Sequence, residues 1–182
     1  RAALGAGAEV VNDVSGLAHD DTLGQVVAGT GATLVLGHMR GTPETMRSHA
    51  SYRDVLGEVA LELREAVERA VTAGVDPGNL VIDPGIGFSK EPAASLAVLV
   101  GSDRLKEELG LPVLVGPSRK SFLGAVTGEA VGGRDESTWA ACAMAVFTGA
   151  DAIRVHEPSG AARAAALGRA ARAAFRAGPG ED

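Results

Sequence analysis

The chain has 182 residues, of which 46% are apolar and 22% charged, and its formal net charge is −6. This composition is typical of one globular domain and excludes a collagen, a coiled coil or a disordered tail. The acidic balance argues against a nucleic-acid partner. The longest apolar run, residues 139–147, is far shorter than the ~20 residues that span a bilayer, so no membrane partner is expected. The single cysteine, Cys142, leaves no pair for an internal disulfide, and we expect a cytoplasmic protein.

Short apolar runs alternate with longer amphipathic stretches along the chain. The runs contain Val or Ile, and we predict strands over residues 9–14, 33–36, 80–83, 112–115 and 152–155. Helices are predicted over residues 1–6, 22–28, 52–73, 94–109, 136–148 and 160–177, with a further helix start near Phe122. Residues 178–182 are predicted to form a disordered tail. This alternation predicts parallel strands joined by right-handed helical crossovers.

The five βα units leave two architectures open. A doubly wound sheet of five strands suits this length. A complete (β/α)8 barrel usually takes about 250 residues, so five units would be only part of one. The first residue is Arg1 rather than Met, and we expect either a processed chain or a piece of a longer one.

Polar side chains follow the predicted strands at the edge where sites form in parallel α/β proteins. Asn12 and Asp13 lie inside an apolar run and need hydrogen-bond partners, which neighbouring strands or a ligand would supply. Asp83 precedes two nearby glycines and is either a loop cap or a ligand contact. His38 is either a site residue or a surface histidine on a mobile loop.

Positive charge is predicted to collect at the same edge. Residues 118–121 read Ser-Arg-Lys-Ser before a helix start, which suits a planar or anionic ligand. Arg154 and His156 alternate with apolar neighbours, so both should point to one face and bind an anion such as phosphate. Five cationic or potentially cationic side chains are expected to converge on the rim formed by the strand ends: Arg40, Arg119, Lys120, Arg154 and His156. Their positive field would attract a small anionic substrate.

Five motifs follow the five predicted strands in order. They are residues 12–16 (Asn-Asp-Val-Ser-Gly), 38–43 (His-Met-Arg-Gly-Thr-Pro), 83–88 (Asp-Pro-Gly-Ile-Gly-Phe), 118–122 (Ser-Arg-Lys-Ser-Phe) and 154–156 (Arg-Val-His). Their types and order resemble the dihydropteroate synthase family over essentially the whole chain. The resemblance implies an α/β fold that is a partial (β/α)8 TIM barrel, made of its five C-terminal βα units, strands four to eight. Residues 1–177 would be an incomplete pterin-binding barrel domain.

The resemblance also implies a transferase of folate biosynthesis. In that reaction the amine of p-aminobenzoate displaces pyrophosphate from 6-hydroxymethyl-7,8-dihydropterin pyrophosphate, which gives dihydropteroate. The residues that the resemblance assigns to each part of the site are the following: Asn12, Met39, Asp83, Phe88 and Lys120 for the pterin, Phe88 and Ser121 for p-aminobenzoate, and Arg154 and His156 for pyrophosphate. Lys120, Arg154 and His156 would be the catalytic residues.

Two loops that the family has after its first strands, and an aspartate on its third strand, do not occur in these residues. We therefore expect Mg²⁺ on the pyrophosphate but no metal ligand in this chain. The 182 residues alone should be inactive or poorly folded, whereas a longer parent would be an active homodimer. Glu157-Pro158 stands where Asp-Val is commoner in the family. Large apolar residues on the predicted 136–148 helix, such as Trp139, Met144 and Phe147, are either core or interface.

Three other functions remain open. A pterin-binding methyltransferase shares the barrel and the Asn and Asp contacts, but it has no use for a pyrophosphate clamp. A strand-end lysine such as Lys120 also suits a Schiff-base nucleophile, with its pKa lowered by the adjacent Arg119. The chain is alternatively a non-catalytic paralogue that binds partners.

Overall fold

The computed structural model describes residues 1–20 and 22–178. The strands are β1 (Val10–Asp13), β2 (Thr33–Gly37), β3 (Leu80–Asp83), β4 (Leu114–Val115) and β5 (Ala152–Ile153). The helices are α1 (Ala2–Gly5), α2 (Leu23–Ala28), α3 (Val55–Thr72), α4 (Pro92–Leu99), α5 (Ser102–Leu109), α6 (Ser121–Thr127), α7 (Asp135–Phe147) and α8 (Pro158–Ala177). Short 3-10 turns lie at Met46–His49, Pro77–Asn79 and Val131–Gly133. The structure is therefore α/β, as predicted.

All pairings between the described strands are parallel. β1, β2 and β3 form one sheet and β4 and β5 another. A parallel bridge joins Ile82 of β3 to Val113, just before β4, and the Ile82 amide donates to the Pro112 carbonyl at 2.9 Å. The strands thus neighbour one another in chain order. A doubly wound sheet reverses its strand order once, so that alternative is wrong.

The predicted helix over residues 94–109 is wrong in one respect, since it is two helices. α4 ends at Leu99 and α5 begins at Ser102. A side chain at Gly101, between them, would place its Cβ 2.3 Å from Cδ2 of Leu56 on α3. The chain changes direction here because this close approach lets α4 and α5 both pack on α3. A single glycine inside a helical pattern does not reveal such a contact.

The core lies between one face of the strands and the helices. Leu34 and Leu36 of β2 pack with Val27 of α2 and with Ala66 and Ala70 of α3. A second cluster joins β3 and β4 to α3, α6 and α7 through residues that include Ile82, Val115, Leu63, Phe122 and Ala145. Alternate strand residues must then point to the opposite, inner face. Among the described residues, no helix has the length and apolar character to cross a membrane.

Candidate active site at the carboxyl ends of the strands

Arg154 connects three strands across the inner face. It follows β5, and its Nη1 donates to Oδ1 of Asn12 on β1 at 2.6 Å. Its Nη2 donates to Oδ2 of Asp83 at the end of β3 at 2.8 Å. The strand register places Asn12 level with Val35, and Val35 level with Val81, two residues before Asp83. Three of the predicted site residues therefore meet, as the parallel-strand rule requires.

Asp83 is a buried carboxylate, with 4% of the residue exposed. Its Oδ1 accepts from the Gly85 amide at 2.8 Å while its Oδ2 takes the arginine. Burial of a charge is costly unless it is paired and hydrogen-bonded, and these contacts provide both. Gly116, after β4, leaves room for the arginine, since a Cβ there would lie 2.8 Å from Arg154 Nη2.

Lys120 lies beside this group, immediately before α6. Its Nζ donates to the Ile86 carbonyl and lies 4.7 Å from the centroid of the Phe88 ring. Burial lowers the pKa of Lys120 to about 8, an effect that the charge of Asp83 opposes and that of Arg154 reinforces. Lys120 and Phe88 thus present a positive charge and an aromatic ring to the same space.

His156 and Ser118 link the turn after β4 to the chain after β5. The Nδ1 atom of His156 and the Ser118 hydroxyl are 2.8 Å apart, and the His156 amide donates to the same hydroxyl at 3.2 Å. Ser121 begins α6 and is exposed. The unusual Glu157 accepts hydrogen bonds from the Ser159 and Gly160 amides. That residue therefore caps α8, which is a structural reason for its presence.

The predicted convergence is wrong for two arginines. Arg40 turns to α3, where its Nε donates to Glu62 at 2.9 Å and its Nη2 to Glu58 at 2.7 Å. Arg119 forms a bidentate ion pair with Asp135 at the start of α7, at 2.7 and 2.9 Å. Both guanidinium groups are therefore paired with carboxylates on helices. The pKa of Lys120 is accordingly lowered by burial and by Arg154, not by Arg119 as the sequence suggested.

Three other strand-end residues have different surroundings. Asp13 caps its own loop, accepting from the Ser15 hydroxyl at 3.0 Å and the Ser15 amide at 3.2 Å. His38 is buried, which corrects its interpretation as a surface histidine. Met39 is half-buried and lines a cleft with Ser15, Glu62 and Arg69, among others.

Sequence reasoning missed a buried polar group behind the site. Lys90 is 7% exposed and contacts His38, which in turn contacts Glu62 on α3. Burial lowers the pKa of Lys90 to about 7, although the negative charges of Asp83 and Glu62 oppose the shift. The available signal was a lysine two residues after the glycine-rich turn 85–88 at a strand end, from which a long side chain can fold back onto the turn.

The described residues carry no obvious metal centre. Among residues 1–20 and 22–178, no group of three or more His, Cys, Asp or Glu side chains is placed to hold a metal ion. What the structure brings together is a buried carboxylate, an amide and two cationic side chains, which are groups able to exchange hydrogen bonds with a polar ligand.

Comparison with known proteins identifies a family. Residues 1–156 match the family described as pterin binding enzyme. The dihydropteroate synthase of Mycobacterium leprae is 43% identical over 164 residues, which cover 86% of this chain and 57% of the relative. The synthase of Synechocystis sp. is 40% identical over 160 residues, covering 86% and 54%. The chain therefore spans about half the length of these curated relatives.

Solved structures extend the similarity to nearly all of the chain. Dihydropteroate synthase from Stenotrophomonas maltophilia, with imidazole bound in its active site, has a TM-score of 0.87 and 38% identity, covering 99% of this chain and 66% of that one. The Xanthomonas albilineans enzyme with 4-aminobenzoic acid has a TM-score of 0.85 and 38% identity, covering 96% and 61%. The Anaplasma phagocytophilum enzyme with 6-hydroxymethylpterin-monophosphate has a TM-score of 0.85 and 27% identity, covering 93% and 66%.

Proposed function

Because this chain belongs to the family of pterin-binding enzymes, we propose that it forms the pterin-binding part of a dihydropteroate synthase. The observation that carries the proposal is the bridge from Arg154 to Asn12 and Asp83. It gathers a carboxylate, an amide and a cation from three strands at one point. The chain would supply strands four to eight of a (β/α)8 barrel, which agrees with its strand order.

Asn12 and Asp83 would recognise the pterin ring. A carboxylate accepts two hydrogen bonds in one plane, which matches the adjacent amino and ring N–H donors of an amino-pyrimidine. Arg154 contacts both acceptors, so it would have to move when the ring binds. Met39 and Phe88 would pack against the ring, and Lys120 would contact its polar edge. Phe88 and Ser121 would contact p-aminobenzoate.

The reaction forms one bond and breaks another at the pterin methylene carbon. The aniline nitrogen of p-aminobenzoate donates its electron pair to that carbon, the C–O bond breaks, and its electrons leave with pyrophosphate. The nitrogen then loses a proton. Arg154 and His156 would stabilise the negative charge that develops on the leaving group, and Lys120 would orient the pterin, so that charge stabilisation and alignment supply the catalysis.

We propose Mg²⁺ as the cofactor, bound outside the residues described here. Those residues do not fit a metal site, so the ion would contact pyrophosphate and ligands from the rest of a longer protein. When bound, it would neutralise charge on the leaving group. No step performed by this chain's own residues requires a metal bond to them.

The 182 residues alone are proposed to lack synthase activity. Val10, on the inner face of β1, is 56% exposed, and among the described residues β1 pairs with one strand, β2. An unpaired parallel strand edge also favours aggregation. The complete gene product is proposed to be an active cytoplasmic homodimer. Phe147 and the exposed Phe175 make an edge contact between α7 and α8, with ring centroids 5.6 Å apart, and offer an apolar face for dimerisation.

The test uses the complete gene product that contains these residues. Pyrophosphate release from the dihydropterin pyrophosphate should depend on added p-aminobenzoate, and Arg154→Met should lower kcat/KM at least roughly 100-fold. Arg64→Met, on the exposed face of α3, is the matched control and should retain the parent rate. Binding of methyltetrahydrofolate without pyrophosphate release would favour a methyltransferase, whereas binding without any turnover would indicate a non-catalytic paralogue. Borohydride trapping of a carbonyl compound on Lys120 would support the Schiff-base alternative.

A further inference from the structure

Lys90 is held by three acceptors behind the proposed site. Its Nζ is 2.7 Å from Nδ1 of His38, 3.2 Å from the Gly85 carbonyl and 3.1 Å from the Phe88 carbonyl. A protonated lysine has three N–H groups and no acceptor. Each of its donors is therefore matched, so the ammonium form fits this buried position.

His38 transmits the interaction to α3. Because Lys90 donates to Nδ1, the proton of a neutral imidazole lies on Nε2, which is 2.9 Å from Oε2 of Glu62. Burial lowers the pKa of His38, and the Glu62 carboxylate opposes that shift. Lys90 and Glu62 thus form an ion pair with a neutral histidine between them. Arg40 fixes Glu62 from the other side.

The two carbonyls that Lys90 binds lie at the ends of the turn after β3. This turn, residues 85–88, bears the Ile86 carbonyl and the Phe88 ring, the two groups that Lys120 contacts. Gly85 and Gly87 have φ angles of 68° and 77°, and Ser89 has 44°. Backbone with so many left-handed residues is held in place by its surroundings rather than by its own preferences.

We propose that Lys90 is a positioning residue for pterin binding, which fixes the 85–88 turn so that Phe88 and Lys120 meet the ring. This inference rests on the proposed function and deepens it. Lys90 acts through the turn and does not touch substrate, since its donors already face protein atoms. Loss of one proton leaves two N–H groups for three acceptors, which loosens the turn.

The charged groups around Lys90 come from four parts of the fold. His38 and Arg40 follow β2, Asp83 ends β3, Glu62 lies on α3, and Lys120 precedes α6. Burial lowers the pKa of Lys90 to about 7 and that of Lys120 to about 8. Pterin affinity should therefore fall in two steps as the pH rises through these values, because both lysines act in their protonated forms.

The experiment measures the dissociation constant of 6-hydroxymethylpterin from pH 6 to 9 with the complete gene product. Lys90→Met should weaken binding roughly 10- to 100-fold and remove the step near pH 7, while the step near pH 8 persists. The KM for the pterin substrate should rise by a similar factor, and kcat should change much less. Lys106→Met is the matched control, since Lys106 pairs with Asp151 away from the site, and should match the parent. An unchanged affinity and pH profile in Lys90→Met would overturn the proposal.

A second variant covers the case in which Lys90→Met does not fold. Glu62→Gln removes the negative end of the pair, so the step near pH 7 should move to lower pH and the other step should stay. A step that does not move contradicts the proposal.

Hydrogen exchange of the 85–88 amides separates this inference from the proposed function. Faster exchange in Lys90→Met supports the role of Lys90 in fixing the 85–88 turn, even if the parent binds no pterin. If the parent binds pterin but exchange is unchanged in the variant, only the proposed role of Lys90 is overturned.

Discussion

The turns that follow β3 and β4 each lead into a lysine, buried at Lys90 and half-buried at Lys120, and the two lysines are held differently. In both turns the residue before the lysine is a non-glycine with positive φ, 44° at Ser89 and 56° at Arg119. Lys90 then meets three acceptors of the protein. Among the described residues, Lys120 donates to one carbonyl and lies against an aromatic ring.

This difference indicates how to separate a supporting lysine from a binding one. Burial lowers the pKa of both, to about 7 and about 8, so the shift alone does not distinguish them. The number of N–H groups that have a protein acceptor does distinguish the two lysines. A lysine whose N–H groups are all satisfied stabilises its turn, whereas one with unmatched donors beside a buried carboxylate is available to a ligand.

The largest expected effect tests how tightly the turn after β3 is built. Gly85 has a φ of 68°, and a Cβ there would lie 1.9 Å from the His38 carbonyl oxygen. Gly85→Ala should lower the free energy of unfolding by about 3 to 5 kcal/mol, because a backbone atom cannot move aside cheaply. Gly110→Ala is the control, with the same φ of 68° but nothing within 4 Å, and should cost only about 1 to 2 kcal/mol. Urea unfolding of both variants measures the difference, and equal losses would show that strain alone, without the contact, sets the cost.

The second prediction compares the two lysines directly. Lys90→Met leaves the Gly85 and Phe88 carbonyls and His38 without their donor, and should lower the free energy of unfolding by about 2 to 4 kcal/mol. Lys120→Met removes a half-buried charge with few partners, so stability should be unchanged or higher by about 1 kcal/mol. Pterin binding should nevertheless be lost in Lys120→Met. Urea unfolding and a binding titration check both variants, and equal destabilisation would remove the distinction between the turns.

The sequence predicts the positions that strand direction alone determines. The predicted strand 80–83 is β3 to the residue, and the meeting of Asn12, Asp83 and Arg154 follows because parallel strands end at one edge. These inferences need only the period of the apolar pattern and the common direction of the strands.

The partners of long side chains were not predictable in the same way. Arg40 and Arg119 reach carboxylates on α3 and α7, and Lys90 reaches a histidine 52 positions earlier. Such contacts depend on how each helix packs against the strands, which the local pattern does not specify. The break at Gly101 has the same origin, since its cause is Leu56 on another helix.

The third prediction concerns the acidic end of the pair that holds Lys90. Burial raises the pKa of Glu62, but hydrogen bonds from His38 and Arg40 outweigh it and lower the value to about 2. A lowered pKa contributes stability above the unfolded value of 4.5, and that stability is lost as the pH falls through about 2. Parent and Glu62→Gln should therefore differ by about 1 kcal/mol at pH 6, and the difference should shrink between pH 4.5 and 2. Glu65→Gln, on the exposed side of α3, is the control in the same urea series, and a parallel curve for Glu62→Gln would contradict the assignment.

The smallest effect is expected in the turn after β4, at Arg119. Arg119→Gly relieves the strain of a φ of 56°, worth about 1 kcal/mol. It also removes an ion pair whose side chains are 39% and 29% exposed, a contribution that solvent screening keeps small. The two effects oppose each other, so the free energy of unfolding should change by less than the strain alone would give. Arg119→Ala loses the pair but keeps the strain, and should be about 1 kcal/mol less stable than the glycine variant.

Because Asp135 holds the guanidinium away from Asp83 and Lys120, pterin affinity should stay within roughly twofold of the parent in both variants. A tenfold loss of affinity would return Arg119 to the site and place both residues of the Arg119-Lys120 pair on the ligand.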